Sequence, residues 1–254
     1  MFSLAGKRAL VIGIANEESI AYGCAKAFRA QGVDLAITFR NEKAEGFVRP
    51  IAEALGTDIL QPLDVREAGQ FGALFDSIRR IWGRVDICLH SIAFCPSRNL
   101  HASVVDCSRD GFVTAMDISV YSFIRMVRSA APLMGSGGAC MTVSFLGAER
   151  VVEHYNIMGP VKSALESVTR NMAADLGSKG NCVHALSPGP LKRRAASGIG
   201  HFDELRDQAA AVAPIHQLVS IDDVGAYAAF LASSEAANVT GGVHYIDGGY
   251  HIVG

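Results

Sequence analysis

Short apolar segments alternate with amphipathic segments along almost the whole chain, and this alternation constrains the fold more than any other feature of the sequence. The apolar segments have the length of strands, and the segments between the first four of them have the length and apolar spacing of helices. The predicted strands are RALVIG, DLAITF, ILQPLD, VDICLHSI, ACMTVSF, CVHALS and GGVHYIDG. The predicted helical segments include SIAYGCAKAFRAQG, EKAEGFVRPIAEALG and AGQFGALFDSIRRIWG.

This order of elements predicts an α/β fold. Continuous apolar strands joined by helices indicate a parallel sheet with both faces covered, and right-handed crossovers then produce a doubly wound arrangement. No segment rich in Pro, Ser or Gly divides the 254 residues, and no internal repeat is visible, so we predict one domain over residues 1–254. Ligands of such folds bind at the carboxyl ends of the strands.

Composition argues against several classes of function. The net charge is −2, and no basic run with interleaved aromatic residues is present, so nucleic acid is not expected as a partner. No stretch approaches the roughly 18 apolar residues of a membrane span, and the first residues lack the pattern of a secretory signal. We therefore expect a cytoplasmic protein without a membrane partner, a location that suits six cysteines scattered without a C-x-x-C pair. The eight histidines have no metal-binding spacing, so no metal is predicted.

Tyr155 and Lys162 form the candidate catalytic pair. They are seven residues apart in EHYNIMGPVKSALE, and a helix through this segment would place both side chains on one side, because seven residues make two turns. A lysine there can hydrogen-bond a cofactor ribose and favour a hydrogen-bonding or ionised phenol. Taken alone, the pair also fits a capped surface helix, so its interpretation depends on the rest of the chain.

The turn after the first strand is a candidate phosphate site. Gly13 permits a tight turn, and Ser19 can either cap the next helix or donate to a phosphate oxygen. The small residues Ala21 and Gly23 would let that helix approach the sheet. The usual G-x-G-x-x-G spacing is absent, so an ordinary capped helix after a strand is the alternative interpretation.

Two further strand ends offer cofactor contacts. Asp64 and Val65 follow the third strand and combine a polar group with an apolar wall that would suit an adenine ring. Ser91, Ile92 and Ala93 follow the fourth strand and leave room for a nicotinamide. Ordinary loop packing is the alternative at both places.

Taken together, these motifs resemble the bacterial enoyl-acyl-carrier-protein reductases, a divergent branch of the short-chain dehydrogenase/reductase superfamily. The resemblance is carried by GKRALVIGIANEESIAYG, HSIAF, FLGAERVVEHYNIMGPVKSALE, SPGPLKRRAASGI, IDDVGAYAAFLAS and YIDGGY. The long Gly-x5-Ser loop and Tyr-x6-Lys distinguish this branch from its superfamily, and both are present. The resemblance covers essentially the whole chain.

The resemblance implies a seven-stranded Rossmann-like subunit, usually in a homotetramer, that reduces a trans-2-enoyl thioester in fatty acid synthesis. Hydride from nicotinamide C4 would go to the β-carbon, Tyr155 would hydrogen-bond the thioester carbonyl as enolate charge develops, and Lys162 would hold the nicotinamide ribose. Cys95 would border the acyl pocket, and a substrate lid would lie near residues 191–212. By match to the family, the cofactor-binding residues are Gly13, Ser19, Ile20, Arg40, Asp64, Val65, Ile92, Lys162, Leu191, Lys192, Arg193, Arg194 and Ala195.

Two residues of the implied substrate and nicotinamide sites depart from the family pattern. Phe145 replaces the tyrosine that the family usually has ten residues before the catalytic one, so it keeps the ring wall of the acyl pocket but lacks a hydroxyl. Arg193 stands where a threonine usually bonds the nicotinamide carboxamide. The run Lys192–Arg194 either contacts an anion or is a solvated surface. His201, Asp203 and Glu204 are not the basic surface that an acidic acyl carrier protein favours, so we expect weaker carrier binding than the family norm.

Arg40, at the end of the second strand, bears on the choice of cofactor. No carboxylate stands there to accept the ribose 2′-hydroxyl, and an arginine can pair with a 2′-phosphate. The family's commonest cofactor is NADH, so NADH is predicted and NADPH stays open.

Two other functions compete with the reductase. One is a superfamily paralogue that acts on another carbonyl or activated alkene, since pocket residues differ from the family. The other is a dinucleotide-binding protein that has lost its chemistry, as Phe145 and Arg193 together would suggest. Retention of both Tyr155 and Lys162 argues against the second, because neither is needed merely for folding.

Overall fold

The computed structural model describes residues 2–191, 207 and 209–253. Within these residues, seven parallel strands form one sheet in the order β3-β2-β1-β4-β5-β6-β7, which confirms the predicted seven-stranded, doubly wound sheet. Six of the predicted apolar segments contain a whole strand, and the sixth strand extends one residue beyond CVHALS, to Pro188. The strands are β1 (Arg8–Ile12), β2 (Asp34–Phe39), β3 (Ile59–Pro62), β4 (Ile87–His90), β5 (Ala139–Val143), β6 (Cys182–Pro188) and β7 (Val243–Ile246).

Helices connect the strands and cover both faces of the sheet. They are α1 (Ile20–Ala30), α2 (Glu42–Ala54), α3 (Ala68–Trp82), α4 (Ser97–Leu100), α5 (Arg109–Met116), α6 (Ser122–Ala130), α7 (Met158–Gly177), α8 (Ile221–Leu231) and α9 (Tyr250–Val253). A π-helical turn, Asp117–Tyr121, joins α5 to α6. Short 3-10 segments are Val104–Asp106, Ala131–Leu133, Leu146–Ala148 and Ser234–Ala236.

Alternate strand residues enter two separate apolar cores, as the two-residue period of a strand requires. In β1, Leu10 and Ile12 belong to the core that includes residues of α3, α6 and α7, whereas Ala9 and Val11 belong to the core that includes residues of α1, α2 and α8. Both faces of the sheet are therefore buried under helices, and polar backbone at the carboxyl edge of the strands is left to bind ligands.

Helix α1 lies unusually close to helix α8. A Cβ atom on Gly23 would lie 2.3 Å from the carbonyl oxygen of Ile221, and one on Gly225 would lie 2.4 Å from the carbonyl oxygen of Gly23. The absence of a side chain at Gly23 therefore allows α1 and α8 to pack closely against each other. The prediction that it lets α1 approach the sheet is wrong, although Ala21 is buried in the core that includes the sheet.

In the part of the chain that the structure describes, no helix is both long and apolar enough to cross a membrane. The same residues contain no group of three or more His, Cys, Asp or Glu placed to hold a metal ion.

Candidate active site

Two adjacent cavities lie at the carboxyl edge of the sheet. The larger, of about 480 Å³, is lined by the ends of β1 to β4, and the smaller, of about 240 Å³, by the ends of β4 to β6 and the start of α7. Ser91, Ile92 and Ala93 line both cavities. Predicted site residues in the larger cavity are Gly13, Arg40, Asp64, Val65 and Ile92. Those in the smaller cavity are Ile20, Ile92, Phe145, Tyr155, Lys162 and Leu191.

Gly13 occupies a position that only glycine can fill. Its φ angle of 109° lies in the region that side chains disfavour. A Cβ atom there would lie 2.2 Å from the carbonyl oxygen of Ser91, which follows the neighbouring strand. The missing side chain lets β1 and β4 end side by side and leaves the backbone open to the larger cavity.

Ser19 shapes the loop between Gly13 and α1. Its hydroxyl accepts hydrogen bonds from the backbone N–H groups of Ala15 and Asn16, both at 3.0 Å, and donates to the carbonyl oxygen of Asn16 at 2.8 Å. The side chain makes no capping bond to α1, so the capping alternative is wrong. The hydroxyl stabilises the loop through these bonds within it. Ile20, the first residue of α1, lines the smaller cavity.

Asp64 is held by two arginines at the rim of the larger cavity. Arg66 donates to its carboxylate from Nε at 3.0 Å and from Nη2 at 2.6 Å, whereas Arg40 Nε is 3.4 Å away. The side-chain hydrogen bonds from Arg66 are the main reason that the pKa of Asp64 is well below its usual value. Asp64 is thus an anion neutralised chiefly by Arg66. The side chain of Arg40 is 57% exposed, and its guanidinium is only weakly engaged.

Tyr155 and Lys162 both line the smaller cavity, but they do not lie on one helix as their spacing predicts. Helix α7 begins at Met158, so Lys162 is helical and Tyr155 is not, and the predicted helix through both residues is wrong. Tyr155 lies in a turn between two residues with positive φ, His154 at 62° and Asn156 at 46°. Tyr155 and Lys162 are both buried and line the smaller cavity.

Burial is the main influence on the pKa values of Tyr155 and Lys162. It raises the pKa of Tyr155 well above the usual value, and the nearby Glu166 adds to this effect. Burial lowers the pKa of Lys162 to about 8, and Glu166 opposes that change. Burial therefore favours a neutral, hydrogen-bonding phenol over the ionised alternative. The Lys162 ammonium donates to the carbonyl oxygen of Val143 at 2.6 Å.

Phe145 and Gly147 both lie close to the ring of Tyr155. Phe145 contacts it with ring centroids 4.9 Å apart and planes at 60°. A Cβ atom on Gly147 would lie 2.4 Å from Tyr155 Cδ1. Gly147 was not a predicted site residue, since nothing in its spacing marks it. Cys95 is buried in the same apolar core as Tyr155, and its role at the acyl pocket stays a prediction.

Glu166 is a second residue that the sequence reasoning missed. It lies one turn after Lys162 on α7, is buried, and accepts a hydrogen bond from Ser144 Oγ at 2.5 Å. This buried bond gives Ser144 a structural role, because it links the end of β5 to α7. The one available signal was the four-residue spacing between opposite charges, which helices commonly use for ion pairs.

Part of the predicted site lies outside the described residues. Leu191 is described: it is buried, forms a bridge to Val219 and lines the smaller cavity. Lys192, Arg193, Arg194 and Ala195 fall outside the described residues, as does most of the predicted lid at 191–212.

Comparison with known proteins gives one answer. The family model described as Enoyl-(Acyl carrier protein) reductase matches residues 13–251. The chain is 46% identical over 252 residues to the NADH enoyl-acyl-carrier-protein reductase of Aquifex aeolicus, covering 99% of this chain and 93% of that protein.

Solved structures agree with the sequence relatives. The reductase of Anaplasma phagocytophilum in complex with NAD has a TM-score of 0.93 at 38% identity, covering 99% of this chain and 94% of that one. The Bacillus cereus reductase with NADP⁺ and indole naphthyridinone has a TM-score of 0.96 at 38% identity, with full coverage of both chains. The chain belongs to the enoyl-acyl-carrier-protein reductase family, as its motifs predict.

Proposed function

We propose that the protein reduces the trans-2 double bond of an enoyl thioester in fatty acid synthesis, with the acyl group carried on acyl carrier protein. The observation that carries this proposal is the burial of Tyr155 and Lys162 in one cavity at the carboxyl edge of the sheet. Family membership supports the same chemistry and does not favour the paralogue or the inactive binding protein.

The residues of the two cavities fit a nicotinamide dinucleotide. The larger cavity offers Gly13 backbone and an apolar wall from Val65, and the missing Cβ of Gly13 permits the close backbone approach that a pyrophosphate needs. When bound, the cofactor supplies the hydride that goes to the β-carbon. Lys162 has three N–H donors and commits one to Val143, so the others would serve the nicotinamide ribose.

Tyr155 would act on the substrate carbonyl. Because its phenol stays protonated, it can donate a hydrogen bond to the thioester oxygen as negative charge develops there. Phe145 would form an apolar wall of the acyl pocket beside it, with Cys95 farther back. A mechanism that uses only the Tyr155 hydroxyl does not require a second phenol at position 145. The reaction would therefore proceed with Phe145.

The function is tested with a medium-chain trans-2-enoyl thioester as substrate. The oxidation of NADH is monitored by its absorbance. The matched control is the 3-oxoacyl thioester of the same chain length, which offers a carbonyl and no activated alkene. We expect oxidation with the enoyl substrate alone. Oxidation with the 3-oxoacyl substrate alone would favour the paralogue, and nucleotide binding without any turnover would favour the inactive binding protein.

Arg40 is proposed to let NADPH serve as a weaker second cofactor beside NADH. Its guanidinium is exposed at the rim of the larger cavity, and Arg66 already neutralises Asp64, so Arg40 can pair with a 2′-phosphate. A hydrogen bond to a charged group contributes about 1.5 kcal/mol or more, so Arg40→Ala should raise the KM for NADPH about tenfold and leave that for NADH within about twofold.

Steady-state kinetics with each cofactor check this prediction. Arg49→Ala, which removes an exposed arginine on α2 away from the rim, is the matched control. Equal changes in both KM values would show that Arg40 acts on something common to the two cofactors.

We further infer a cytoplasmic homotetramer. Support for assembly comes from apolar side chains exposed on the described surface, among them Val105, Phe112, Val113, Ile252 and Val253. Six cysteines without disulfides among them suit a reducing compartment.

A further inference from the structure

Lys162 and Glu166 are a buried pair of opposite charges, and the proposed reaction uses only the lysine. Both side chains belong to residues that are 4% exposed, and they lie one helical turn apart on α7. Charged side chains are seldom buried so completely without a specific reason, because their desolvation is costly. The position of Glu166 beside the cavity therefore calls for a role.

Both charged groups are tied to consecutive residues at the end of β5. Lys162 Nζ donates to the carbonyl oxygen of Val143 at 2.6 Å, and Glu166 accepts from the hydroxyl of Ser144. Val143 and Ser144 line the smaller cavity. The two bonds fix the first turns of α7 against the strand end and hold the carboxylate just behind the cavity wall.

Glu166 is the acidic group whose charge acts on the ammonium of Lys162. Burial lowers the pKa of Lys162 to about 8, and the negative charge of Glu166 opposes that change. Burial also raises the pKa of Glu166, and the hydrogen bond from Ser144 and the charges of Arg170 and Lys162 oppose that rise and favour the carboxylate. His90 also faces Lys162 but is neutral, since burial lowers its pKa to about 3. Tyr155 is neutral as well. Groups that act electrostatically with Glu166 from the surrounding elements are Glu149, Tyr155, Arg170 and Tyr245.

We propose that Glu166 is a positioning residue whose buried carboxylate keeps Lys162 protonated, so that the ammonium can hold the nicotinamide ribose at physiological pH. This inference rests on the proposed function. The ammonium has three donors and one goes to Val143, whereas a neutral amine is a weaker donor and no longer attracts the ribose oxygens as a cation. Without Glu166, that carboxylate would no longer oppose the effect of burial on the charge of Lys162.

The direct test is to titrate Lys162 in the cofactor-free protein and to monitor the titration by NMR after labelling with 13C-lysine. The Lys162→Arg variant assigns the signal. Glu166→Gln should lower the titration midpoint by about one pH unit or more, because a nearby opposite charge shifts a pKa by that amount. Asp175→Asn neutralises an exposed carboxylate on the same helix and should leave the midpoint unchanged. An unchanged midpoint in Glu166→Gln would overturn the proposal.

Cofactor binding supplies a second readout. For Glu166→Gln, the Kd for NADH should rise at least about tenfold between about pH 6.5 and about pH 8.5, and the wild-type protein should change less over that interval. Parallel pH profiles would contradict the proposal. If Glu166→Gln does not fold, Glu166→Met removes the charge with a chain of similar length and has the same expected midpoint. Because the NMR titration needs no turnover, a protein without reductase activity would refute the proposed function and leave the Glu166 inference testable.

Discussion

Replacing Tyr155 by Phe is expected to lower kcat about 100-fold while the Kd for NADH stays within about threefold. The substitution removes one oxygen atom that would donate to the developing enolate, and a preorganised donor of this kind contributes about 3 kcal/mol to the transition state. The ring stays, so its contacts with Phe145 and Gly147 are kept. The hydroxyl is expected to matter for turnover and not for cofactor binding.

Steady-state kinetics with a trans-2-enoyl thioester, together with a fluorescence titration of NADH, check both parts of this result. Tyr121→Phe removes a phenol from an exposed tyrosine and serves as the matched control. A Tyr155→Phe protein with the kcat of the control would show that another group donates to the carbonyl.

Replacing Gly13 by Ala is expected to destabilise the protein by about 3 kcal/mol and to weaken NADH binding at least about tenfold. A Cβ atom at 2.2 Å from the Ser91 carbonyl oxygen has no room, and the φ angle of 109° is unfavourable for alanine. Backbone strain and overpacking each contribute about 1–3 kcal/mol. Because Ser91 lines both cavities, the shift that relieves the clash also moves cofactor contacts.

Chemical unfolding and NADH titration measure these two effects. Gly46→Ala makes the same chemical change within α2, where an added Cβ meets no other atom within 4 Å, so it should be neutral or stabilising by up to about 1 kcal/mol. If Gly13→Ala were as stable and bound NADH as tightly as Gly46→Ala, the close approach to Ser91 would not constrain the site.

Local patterns predicted the elements well, because strands and helices follow from the period of apolar residues. The segment RALVIG became β1, and residues Leu10 and Val11 face opposite cores as alternation requires. The same logic failed for Tyr155. Seven residues suggested two helical turns, but the left-handed conformations of His154 and Asn156 end any helix there, and sequence spacing does not reveal such φ angles.

The sequence by itself determined the sheet, its helical layers, the family and the pairing of Tyr155 with Lys162, since each depends on periodicity or on a motif read along the chain. Only the tertiary structure decided that Gly147 supports the Tyr155 ring, that the carbonyl group of Ser91 excludes a side chain at Gly13, and that Ser144 links Glu166 to the cavity wall. The physical reason is that short-range order follows from neighbouring residues, whereas a close packing distance or a buried charge depends on which distant segments the folded chain brings together.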